Sequence, residues 1–160
     1  MPDSPDNARA KRILELSLAR HGYTVSTADE SAKNNIYKAS RDGTTYIIAM
    51  CYRKKESAPS FQLRGTTLKR LNDSEDTQSI PAVAFIEFSE NRPTDYEDVI
   101  VAPLDALPVR PASNRSKETL SVKKDDDGIS VVYYNPKDPG IEKKPAAALF
   151  RDIYRIESYD

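Results

Sequence analysis

Residues 44–53 read Thr44-Thr45-Tyr46-Ile47-Ile48-Ala49-Met50-Cys51-Tyr52-Arg53, and Lys54-Lys55-Glu56 follows at once. An apolar, β-branched run of this kind, entered from Asp42-Gly43 and ending in charge, reads as a strand buried on both faces. Alternation sends Tyr46, Ile48, Met50 and Tyr52 to one side and Ile47, Ala49 and Cys51 to the other. Such a strand needs a packing layer on each side. The expected fold class is therefore α/β, a mixed central sheet flanked by helices.

The flanking segments supply those layers. Ala10, Ile13, Leu14, Ser17, Leu18 and His21 recur at helical spacing, with Leu16 at the edge of the stripe, and Gly22 ends the helix. Short strands are expected at residues 23–27 and 35–40. Asp42-Gly43 is a hairpin signal that returns the chain into the central strand. After Pro59 a second helix begins at Thr66 or Thr67 and runs through Leu68 and Leu71. Strands are expected over 82–88 and 96–102, then one helical turn between Pro103 and Pro108. Residues 1–108 form the core on this reading, and residues 109–117 have linker composition. Residues 118–160 form a hairpin, turning at Asp125-Asp126-Asp127-Gly128, and a last helix from Pro145 that presents Ala146, Leu149, Phe150, Ile153 and Tyr154. Pro136, Pro139 and Gly140 exclude regular structure between the two. A hairpin plus a helix is too small to stand alone, so it is expected to pack on the core.

Several chemistries are excluded early. Cys51 is the only cysteine and His21 the only histidine, which removes a disulfide and a Cys/His zinc site. No apolar run approaches the roughly 20 residues of a membrane span, so no membrane partner is expected and the expected location is cytoplasmic. Between Met50 and Tyr52, Cys51 reads as buried filler rather than a nucleophile. The triple-aspartate turn lacks the spaced ligands of a calcium loop.

The net charge of −1 is unevenly spread. Residues 1–71 carry 13 Lys and Arg against 7 Asp and Glu, whereas residues 72–106 carry 1 against 9. The basic candidates for a charged surface are Arg41, Arg53, Lys54, Lys55, Arg64 and Lys69, with Arg70. A patch of this kind would hold phosphates without reading base sequence. The alternative is that Arg53-Lys54-Lys55 simply keeps a strand end solvated.

The order helix, strand, strand, central strand, helix, strand, strand, with the pieces Gly22-Tyr23-Thr24-Val25 and Asp42 to Lys54, resembles the PD-(D/E)XK, or restriction-endonuclease-like, superfamily over residues 8–107. In that superfamily an Asp at the start of the hairpin's first strand and a Glu in the central strand hold a divalent metal, with a Lys two positions after the Glu. A helix Glu often contributes. The resemblance places those roles at Asn35, Ala49 and Cys51, with Glu15 as the helix carboxylate. Ala49 cannot bind a metal, and a thiol suits Mg²⁺ poorly. The resemblance thus implies a degenerate site with no metal or other cofactor, serving as a nucleic-acid-associated or partner-binding module. DNA or another nucleic acid, a protein partner or a homodimer are the expected partners. The alternatives are an Mg²⁺-dependent endonuclease whose site has moved to Glu15, Asp42, Glu56 or Glu87, and a protein-interaction module without nucleic acid. On sequence, Asp42 fits its turn, Glu56 pairs with the preceding cations, and Glu87 faces solvent.

Overall fold

Alternation along the central strand generates two separate cores. The computed structural model describes residues 5–27, 36–54, 60–72, 78–88, 96–108, 119–124, 128–133, 140–145 and 148–155. Helix α1 (Pro5–Arg20) leads into β1 (Thr24–Thr27), β2 (Ile36–Arg41) and the central β3 (Thr44–Lys54). Strand β4 (Phe61–Arg64) and the short helix α2 (Gly65–Asn72) precede β5 (Ile80–Phe88) and β6 (Tyr96–Pro103). A 3-10 turn at Leu104–Ala106 is followed by β7 (Thr119–Lys124), β8 (Ile129–Tyr133), β9 (Gly140–Lys144) and β10 (Phe150–Arg155). The class is mixed α/β with strands predominating.

The strands form two sheets, one ordered β1-β2-β3-β5-β6-β10 and one ordered β4-β7-β8-β9. In the first, β3 is interior and runs parallel to β5; the other pairings are antiparallel. A parallel pair cannot be joined by a hairpin. The β3–β5 connection therefore passes out through β4 and α2.

On one face, Ile48 and Met50 pack with Ala10, Ile13, Leu14 and Leu18 of α1 and with Ala84, Ile86, Val99 and Val101 of β5 and β6. On the other, Ile47, Ala49 and Cys51 meet Leu68 and Leu71 of α2 and Phe61, Leu63, Leu120, Val122, Ile129 and Val131 of the second sheet. The result is three layers: α1, the first sheet, and the second sheet with α2. The turn between β2 and β3 carries positive φ at both Asp42 (52°) and Gly43 (79°), the backbone required by a two-residue hairpin. Gly22 (φ 84°) closes α1, where Tyr23 N–H donates to the Leu18 carbonyl at 2.9 Å.

Two expectations are corrected, and one strand was not expected. The expected last helix from Pro145 is instead the edge strand β10, paired antiparallel with β6 from Phe150↔Val101 to Arg155↔Tyr96. Residues 150–155, Phe-Arg-Asp-Ile-Tyr-Arg, place their apolar side chains at helical rather than strand spacing, and pairing with the open backbone groups of β6 overrides that pattern. Phe150 then stacks on His21, ring centroids 4.2 Å apart, and joins the α1 core. Residues 140–144, expected to be irregular, form β9; Gly140 opens the strand and the prolines lie before it. Residues 61–64 form β4, where two apolar side chains, Phe61 and Leu63, were too few to show a period in the sequence.

Phe61 joins the layers, meeting the Phe85 ring edge-on at 5.2 Å. Phe61→Ala is expected to destabilise the fold by about 3–5 kcal/mol. Leu16→Ala, at a residue 44% exposed on α1, should stay within about 0.5 kcal/mol in the same chemical denaturation series.

Candidate functional site

Beyond Cys51, the next residue of β3 on the same face is Arg53. Register places Arg53 beside Glu87 on β5, and Glu87 beside Asp98 on β6. Three neighbouring strands thus carry a cation and two carboxylates in one cross-strand row facing the second sheet. Lys124, the last residue of β7, reaches down from that sheet to meet them.

The contacts are close. Arg53 Nε donates to Glu87 Oε2 at 2.7 Å, and its Nη2 pairs with the same oxygen. Lys124 Nζ donates to Asp98 Oδ2 and lies 3.7 Å from Glu87 Oε1. The Arg53 guanidinium also lies over the Phe61 ring, 5.6 Å from its centroid. Glu87 is 7% exposed and Asp98 6%, so neither charge is solvated by bulk water. At that depth each carboxylate requires a partner, and each has one.

Glu87, expected to face solvent, is therefore a buried member of an ion network. Ile86 and Phe88 do face the other way, into the α1 core. With a second sheet on its own side, the same alternation points Glu87 inward. Asp98 and Lys124 were not singled out in the sequence. Asp98 carried a readable signal: it shares a face with Ile100 and Ala102 in a strand apolar on both sides, where an acid needs a cation.

At the positions given by the nuclease resemblance there is no comparable chemistry. Ala49 is 1% exposed and pairs across the sheet with Ile36. The Cys51 thiol donates to the Gln62 carbonyl at 3.0 Å, and burial pushes its pKa up to about 12. Asn35, Lys55 and Glu56 lie outside the described residues. Glu15 is exposed on α1, across the first sheet from Ala49. It lines a cavity of about 400 Å³ with Ala19, Tyr23, Val25, Ser26 and Tyr37. Asp42 is exposed at its turn, 3.8 Å from Arg41 Nε. Among the described residues no three His, Cys, Asp or Glu side chains come together as metal ligands.

The expected basic patch is dispersed. Arg53 and Lys54 are consecutive on a strand and leave on opposite faces. Arg53 joins the buried row, whereas Lys54 Nζ pairs with Asp6 of α1 at 3.1 Å. Arg41 donates to the His21 carbonyl at 2.9 Å and lies over the Tyr23 ring. Arg64 and Lys69 are exposed on β4 and α2. No protein-family model, curated protein or solved structure matches the chain.

Glu87→Ala removes the acid that two largely buried cations share, and is expected to cost about 3–5 kcal/mol. A double-mutant cycle with Arg53→Ala should return a coupling of roughly 0.5–3 kcal/mol. Because the folded thiol of Cys51 titrates near 12 and the unfolded one near 9.0, its contribution to stability is complete below pH 9.0 and is lost as pH rises through about 12. Native Cys51 is accordingly expected to resist an alkylating reagent at mildly alkaline pH and to react once the chain is unfolded in denaturant.

Proposed function

We propose that this chain is a nuclease-like domain of the PD-(D/E)XK type that has no catalytic machinery and acts as a binding module. The observation that carries the reading is the face of β3. Ala49 and Cys51, to which the resemblance assigns the oxygen ligand and the amine of a metal-dependent phosphodiesterase, are both buried in an apolar layer; Asn35, the third such position, lies outside the described residues. The element order supports the resemblance: α1, the antiparallel β1–β2–β3 meander, a crossover containing α2, and β5 beside β3. The interior place of β3, with α1 on one face and α2 on the other, supports it further.

Charge balance argues against catalysis at the row next to it. Arg53 and Lys124 offset Glu87 and Asp98. A divalent cation placed there would raise the local charge to +2 inside a poorly solvated layer. The nearest precedent for its partners lies in the family resemblance, which favours nucleic acid over other ligands.

A second reading has one specific observation behind it: two carboxylates from adjacent strands converge on one lysine at the end of the central strand. If Lys124 withdrew, Glu87 and Asp98 could offer oxygen ligands to Mg²⁺. The two readings separate in one pair of assays. The binding-module reading expects no cleavage of plasmid, branched or single-stranded DNA with Mg²⁺ or Mn²⁺. It also expects no change in the thermal midpoint on adding either ion. An ion bound at that row would stabilise the fold by about 2.7 kcal/mol at a hundredfold excess over its Kd. Metal-dependent cleavage that disappears in Asp98→Asn would replace the first reading with the second.

A further inference from the structure

We infer that the outward face of the second sheet is the surface on which a single-stranded nucleic acid is bound. The inference rests on the binding-module reading above and assigns it a location. Alternation in the four strands separates two sets of side chains. Phe61, Leu63, Leu120, Val122, Ile129 and Val131 point inward and are buried. The outward set is Gln62 and Arg64 on β4, Ser121 and Lys123 on β7, Ser130 and Val132 on β8, and Ile141 and Lys143 on β9.

Register arranges the outward set in rows. Lys123, Ser130 and Lys143 form one row, since Lys123 pairs with Ser130 and Ser130 with Lys143. Gln62, Ser121, Val132 and Ile141 form the next. Arg64 begins a third, on the far side of the middle row. Arg64, Lys123 and Lys143 are exposed, and the described outward positions include no carboxylate. Lys123 and Lys143 lie two strand spacings apart, about 10 Å, and the outer rows are separated by about 13 Å along the strands. Between them is a neutral strip in which Gln62 Nε2 donates at 3.3 Å to Oγ of Ser121, itself buried, and Ile141 is 72% exposed beside the half-buried Val132.

Cations at both ends of a flat strip fit a polyanion. The apolar pair in the middle selects the strand form. Duplex DNA offers a protein's flat face mainly phosphates and sugars, which gain little from Ile141 and Val132. An unpaired base can lie against them while its flanking phosphates meet the lysines. Over β3, β5 and β6 the first sheet is covered by α1 on one side and by the second sheet with α2 on the other.

Fluorescence anisotropy with a labelled mixed-sequence oligonucleotide tests the inference on the full chain at low salt. Lys123→Glu with Lys143→Glu is expected to weaken binding more than tenfold. Their loss should reduce the slope of log K against log salt by about 1.4, at 0.7 per phosphate contact on a single strand. Ile141→Ser should weaken binding with the slope unchanged. Arg12→Glu with Arg20→Glu makes the same change in net charge on α1, and an equal loss there would overturn the inference in favour of bulk attraction. Retained binding in the Lys123/Lys143 pair would overturn the location while leaving the binding-module reading in place. Preference for duplex competitor over single strand would overturn the strand form. Absence of any nucleic-acid binding at low salt would overturn both the inference and the nucleic-acid arm of the proposed function. Unchanged far-ultraviolet circular dichroism of each variant excludes misfolding as the cause.

Discussion

A carboxylate can remain beneath a sheet only while a cation is held against it, and Glu87 meets that condition through two elements. Arg53 comes from the neighbouring strand of its own sheet, and Lys124 comes from the sheet above. The pairing therefore ties strand register to layer packing. A slip of β5 by one residue would send Glu87 into the α1 core and bring Phe88 against Lys124. Asp98 extends the row to β6, so three strands are fixed in the same way. The Coulomb gain of such a network is largely cancelled by the desolvation of its members. Its contribution is better sought in specificity: apolar packing alone tolerates shifts that leave the total burial unchanged, and the ion row does not. We advance this as a hypothesis, to be tested by whether an apolar replacement of the four residues keeps stability while broadening native amide exchange.

The same constraint bears on the apolar face of β3 beside the ion row. Ala49 and Cys51 lie between Arg53 of the ion row and Ile47 on the same face of β3. Both are small enough to let Phe61, Leu68 and Leu71 approach. A glutamate at position 49 would place a further negative charge in that layer, with no described cation beside it. The apolar character of this surface and the presence of a second sheet above it are thus one fact rather than two. An open catalytic groove and a closed sheet-on-sheet core exclude each other at the same place.

Much of the architecture was legible because β3 announces both of its faces. The alternation of Tyr46 to Tyr52 against Ile47 to Cys51, the α1 stripe and the Asp42-Gly43 turn are local signals with one physical reading each. The β7–β8 hairpin was legible for the same reason. The end of the chain was not, since the spacing of apolar residues over 146–154 is helical and only the backbone pairing offered by the edge of β6 overrides it. Nor was the second sheet, whose first strand, β4, comes from the middle of the chain and whose others come from its last third. Without that sheet, the side of the strand bearing Glu87 has no cover, and solvent is the natural inference.

Charge runs were the other place where sequence and space diverged. Arg53-Lys54-Lys55 and Lys123-Lys124 are clusters along the chain, but a strand separates consecutive residues to opposite faces. Arg53 is drawn into the buried row and Lys54 to Asp6 on α1. Lys124 closes the row from above, and Lys123 points outward. The two runs thus contribute to three environments, none of which is a simple sum of adjacent charges. A cationic surface in a chain made mostly of strands must be assembled from every second residue on neighbouring strands. By that rule Lys123 and Lys143, twenty positions apart, are nearer to forming a patch than Arg53 and Lys54 are.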